Sequence, residues 1–141
     1  MSQDSCWPVQ AGVYARLGSF APLTALLASG ASGVYDHVPP GSAFPYIVLG
    51  MMRAEPFETQ RGGGYDIVLE VQSYSRALGM KEARGLMEAV ASALHDETFP
   101  IEGQRLVFCR LVAQESRLSP DGETRTGSQR FRLLTEPLEG E

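Results

Sequence analysis

Between residues 34 and 50 the chain reads Val-Tyr-Asp-His-Val-Pro-Pro-Gly-Ser-Ala-Phe-Pro-Tyr-Ile-Val-Leu-Gly. This run leaves few conformations open. Val34 and Tyr35 favour extended backbone. Pro39 and Pro40 fix their own φ and push the residues before them out of the helical region. Gly41 and Ser42 then let the chain reverse. Pro45 suits the first position of a strand, where a missing N–H costs least. Tyr46 to Leu49 supplies the β-branched and aromatic residues of that strand. A short strand, a rigid turn and a second strand follow, and no helix fits.

The flanking segments can be read from periodicity. Upstream, Pro8 suits a first helical turn, and Val9, Val13 and Leu17 recur at i, i+4 and i+8. Gly18 stops that helix. Ser19 can cap a second short one carrying Phe20, Leu23, Leu26 and Leu27. Downstream, strands are expected over Tyr46–Phe57 and Tyr65–Tyr74. In the second, Ile67, Leu69 and Val71 alternate with Asp66, Glu70 and Gln72, so one face meets the core. Residues Arg53 to Gly64 between them are long for a hairpin loop, and a projecting arm with a triglycine tip is the expectation. Ser75–His95 holds a helix with Ala83, Leu86, Met87, Val90, Ala93 and Leu94 on one stripe. Leu106–Leu118, a turn at Pro120-Asp121-Gly122 and Thr124–Thr135 close the chain as a hairpin. The order is α-β-β-β-α-β-β. Hairpin-linked strands imply an α+β fold: a mostly antiparallel sheet with helices on one face. The chain is read as one domain over residues 1–141, with 1–7 and 137–141 frayed.

Composition narrows the function. The 141 residues carry 12 basic and 17 acidic side chains, a net charge of −5, and all the basic residues but Lys81 are Arg. An acidic chain without a basic run argues against tight nucleic-acid binding. No apolar run reaches the ~20 residues of a membrane span, and the first residues lack the features of a secretory signal. Two cysteines, Cys6 and Cys109, make no disulfide framework. Cys109 reads as a buried hydrophobe and Cys6 as part of a mobile tail.

No set of residues makes a catalytic site. Asp36 and His37 are adjacent on extended backbone and point to opposite sides. His95 sits at a helix C-terminus, where the dipole favours a cation. Gly62-Gly63-Gly64 is followed by a strand rather than the helix a phosphate loop needs. The scattered His and Cys have no metal-ligand spacing. No cofactor, metal or enzymatic activity is expected. The last strand is more informative. Arg130 and Arg132 share one face, with Glu115 and Arg117 in the preceding strand. Either these pair on a solvated surface, or they belong to a subunit interface, where Arg is enriched.

From Val13 to Arg132 the chain resembles the tail completion (tail terminator) proteins of long-tailed phages and gene transfer agents. The resemblance rests on the ordered set Val-Tyr-Ala-Arg-Leu from Val13, Ala21-Pro-Leu-Thr-Ala-Leu-Leu27, Tyr35-Asp-His-Val-Pro, Pro45-Tyr-Ile-Val-Leu, Tyr74-Ser-Arg76, Ala93-Leu-His95, Pro120-Asp-Gly122 and Arg130-Phe-Arg132. The chain departs from the common pattern at Met51-Met52 and in its acidic tail. The resemblance implies a structural virion protein. It would form a hexameric ring on the head-proximal end of the tail tube, stop tube polymerisation and offer the docking surface for the head–tail connector. The implied partners are other copies of itself, the major tail tube protein, the connector and DNA passing unbound through the lumen, with no membrane. Assembly would occur in the host cytoplasm. In that setting Arg53, Glu55, Phe57, Glu58, Arg61, Arg125, Arg130 and Arg132 are candidates for subunit or tube contacts, and Asp66 and Glu70 for the lumen wall. The alternative is a small ligand- or peptide-binding α+β module unrelated to virions. A third class, a nucleic-acid-binding adaptor, predicts salt-sensitive retention on DNA.

Overall fold

A computed structural model describes residues 6–59 and 62–138, with only the backbone described for Phe57 and Thr59. Helix α1 spans Cys6–Gly18 and α2 Ala21–Thr24, and a 3₁₀ turn at Gly30–Gly33 leads into β1, Val34–Tyr35. Then come β2 (Tyr46–Thr59), β3 (Gly62–Ser75), α3 (Lys81–Leu94), β4 (Gln104–Leu118) and β5 (Arg125–Pro137). The five strands lie in the order β1-β2-β3-β5-β4. All pairings are antiparallel except the two-residue pairing of β1 with β2. The expected α+β architecture is present, with the helices on one face of the sheet.

Three expectations need correction. Cys6 is not in a loose tail but begins α1, where Pro8 occupies the first turn. The segment Ser75–His95 is helical only from Lys81. The projecting loop from Arg53 to Gly64 is in fact a continuous ladder. Pairing runs from Met52↔Leu69 to Thr59↔Gly62 without a gap. Backbone hydrogen bonding to β2 holds the glycines extended, although they contribute no side-chain packing.

The core lies between the helices and one sheet face. Val9, Val13 and Leu17 of α1, Leu86, Val90 and Leu94 of α3, and Ile47, Ile67, Leu69, Phe131 and Leu133 of the sheet are fully buried. Each such side chain contributes about 1.5–3 kcal/mol through burial. Gly12 lets α1 close on the loop before β4, because a Cβ there would stand 2.9 Å from the Pro100 carbonyl oxygen. Gly127 does the same for α3, since a Cβ there would collide with the Met87 side chain. Arg16 fastens the two long helices together, its Nε donating to the Ala93 carbonyl at 2.8 Å.

Candidate assembly surfaces

The sheet face away from the helices is open, and strand parity puts most of the candidate residues on it. Glu55 stands opposite Asp66, Arg53 opposite Val68, and Val68 in turn opposite Arg132. Glu70 is opposite Arg130. Asp66 and Arg132 form a bidentate pair within the chain, with Arg132 Nε and Nη2 donating at 2.9 and 2.8 Å. The hydrogen bond from Arg132 holds the Asp66 carboxyl below its usual pKa, aided by the charges of Arg132 and Arg53 and opposed by partial desolvation. The same bond raises the Arg132 pKa.

Arg132 also lies directly opposite Arg110 on β4. Like charges in that position repel. Phe108 relieves this, because both guanidinium groups lie over its ring, at 4.2 Å for Arg110 and 5.5 Å for Arg132. Sequence reading missed Phe108 and Arg110, since two bulges break the alternation of β4 at Leu106/Phe108 and Leu111/Ala113. At the second bulge the Leu111 amide donates to His95 Nδ1 at 3.0 Å, and His95 Nε2 lies 3.3 Å from Asp96 Oδ2. His95 therefore serves the bulge.

Several candidates lie apart from this lattice. Arg125 has the opposite parity and donates to the Ala77 carbonyl at 3.1 Å, tying the end of β3 to the start of β5. Glu115 is opposite Ser128 and Arg117 opposite Thr126, so neither directly faces Arg130 or Arg132. Glu58 is exposed near the hairpin end. The Phe57 side chain and the whole of Arg61 lie outside the described residues. Asp36 and His37 are both exposed.

The opposite end of the sheet is clamped. Asp121 Oδ1 accepts the amides of Glu123 and Thr124 at 2.8 and 2.9 Å, and the Thr124 hydroxyl donates to Oδ2 at 2.7 Å. These bonds pull the Asp121 carboxyl down to about 2. Arg76 Nε donates to the same hydroxyl oxygen at 3.0 Å, and its guanidinium covers Phe44 at 4.4 Å. The β4–β5 turn, the β3–α3 connection and the proline segment are thus locked together. Beside this clamp the Tyr46 ring meets Tyr35 edge to face and lies tilted against Tyr74. Burial of the phenols raises the pKa of Tyr46 and Tyr74.

Cys109 is wholly buried, and desolvation pushes its thiol up to about 12, so it is inert. Among the described residues no three His, Cys, Asp or Glu side chains are placed to hold a metal ion. No described helix is long and apolar enough to cross a membrane.

Two comparisons bear on this arrangement. A chain from the virion of a native gene transfer agent particle superposes with a TM-score of 0.85 at 28% identity, over 96% of this chain and 99% of that one. No curated protein matches in sequence. The family model described as tail completion protein gp17 matches residues 11–136. That match takes in the proline segment, the clamp, the charged open face and nearly all of the core, and the chain belongs to the tail completion protein gp17 family.

Proposed function

We propose that this protein is the subunit of a closed ring, six copies around, that seats on the head-proximal end of a tail tube. There it ends tube polymerisation and presents the surface to which the head connector docks, while DNA passes through the lumen. It works by shape and contact, not by catalysis. Its place is the head–tail junction of a phage or gene-transfer-agent particle, reached after assembly in the host cytoplasm.

The observation that carries this reading is the pair of open sheet edges. Among the described residues β4 is the last strand of the sheet. On its outer side the Cys109 carbonyl accepts the Asp96 amide and the Leu111 amide donates to His95 Nδ1, which leaves residues 112–118 as the bare part of that edge. On the other side β1 pairs only with Ile47 and Val48, and among the described residues no strand pairs with the outer side of β2 from Leu49 to Thr59. Long bare edges attract further strands. Here the two edges run antiparallel to each other, so β4 of one copy can continue the sheet onto β2 of the next. Such a contact joins two different surfaces, and it closes into a ring when the rotation per step divides a full turn. Pro56 lies in the bare stretch of β2, as suits an edge strand.

Mass photometry of the protein with tube subunits should give a species of six times the 15.3 kDa chain mass. Imaged tails should carry it at one end only. Tails completed with no ring of this protein at the head-proximal end would sink the proposal.

A further inference from the structure

On the β1 side of the molecule, α1 presents Trp7 and Tyr14, seven residues apart and so on one helix face. Trp7 is 60% exposed and Tyr14 46%. With Ala11, Val34, Tyr35 and Asp36 they border a groove of about 360 Å³. Gln10 Nε2 donates to Asp36 Oδ2 at 3.4 Å, which holds an acidic group beside the aromatic ridge. On the opposite side, α3 and β4 leave a larger groove of about 820 Å³. Its helix wall carries Lys81, Arg84 and Glu88, its strand wall Gln114 to Ser116, and Met87 lies between.

Ridge and groove lie at one level. Strand register runs in a single row across the sheet from Tyr35 to Val48, Gln72, Ser128 and Glu115. Rotation about an axis along the strands therefore brings the ridge of one copy to the groove of the next.

The geometry points to the Trp7–Tyr14 ridge of one subunit seating in the α3–β4 groove of its neighbour. This inference rests on the ring reading and names the contact that carries it. Large exposed aromatics are where interface energy concentrates. The groove walls carry Lys81 and Arg84 together with Glu88 and Glu115. The two cations are the groups that lie against the aromatic rings and oppose the charge of Asp36. Ridge and groove are different surfaces, so the contact has the direction a ring requires. It lies in the helix layer, beside the strand edges, and so reinforces the same junction.

The test places the photo-crosslinker p-benzoylphenylalanine at position 14 of the full chain, assembled with tube subunits. Cross-links should join two copies and map to residues 81–91 or 114–116 of the second. Trp7→Ala should raise the concentration needed for ring formation on the order of thirtyfold, the scale of an interface hot spot. Asp36→Lys and Arg84→Glu should each weaken the ring, and the double variant should recover it. If an intact ring cross-links elsewhere between copies, or position 14 attaches to the tube protein, this contact is wrong and the ring stands. If no ring forms under any condition, both readings fail.

Discussion

Residues in this chain act mainly by fixing connections. Asp121 is the clearest case, because one exposed carboxylate accepts three hydrogen bonds from its own turn. Its folded pKa of about 2 lies below the ordinary 3.8. A depressed carboxylate stabilises the fold fully above its unfolded pKa, and that contribution is lost as pH falls through the folded value. Asp121→Asn should therefore lower the melting temperature near neutral pH, with the gap to wild type closing between about pH 4 and pH 2. A gap unchanged across that range would show that the charge contributes nothing. The turn itself was legible, since Pro-Asp-Gly is strong turn chemistry. Its link to Arg76 and Phe44 was not, because those residues are distant in sequence and meet only through strand register.

At the scale of elements, helical periodicity proved the most readable feature. Ala83, Leu86, Met87, Val90, Ala93 and Leu94 are all buried, as the stripe predicted. Leu86→Ala should cost about 2–5 kcal/mol, a large part of the ~5–15 kcal/mol that holds a domain together. A denaturant melt that moved little would contradict the packing of α3. Strands were less legible. Each bulge in β2 and β4 adds one residue and reverses the parity beyond it. Met52 and Ala54 therefore turn inward after Leu49, where simple alternation would set them outward. The arm was misread for a related reason. Three glycines suggest a loop, yet ladder hydrogen bonds to β2 keep them extended.

For the whole molecule, the two sides of the sheet define what can assemble. The helix-covered face holds the apolar core, with a few buried polar groups such as Ser73 and Gln129, while the open face carries alternating charges. An acidic lumen wall built from Asp66 and Glu70 would let DNA slide past, but Arg132 already pairs with Asp66 and Arg130 stands opposite Glu70. Replacing both carboxylates with Lys should leave the fold intact, measured by its melt. If the pair lines the lumen, particles should assemble and deliver DNA poorly. Failure to assemble would put the pair in a subunit contact instead.

The sequence by itself determined the fold class, the helix faces, the proline turn and the family resemblance, because each of these is written in local spacing. Only the tertiary structure decided which residues of the candidate surfaces meet. It set Arg132 on Asp66 and stacked Arg110 and Arg132 on Phe108. It turned Arg125 to the other side, left both outer strands without a further strand partner along part of their length among the described residues, and brought the α1 ridge level with the α3–β4 groove. Those relations depend on strand order and register, which arise from pairing between distant segments and are shifted by bulges that no local pattern marks.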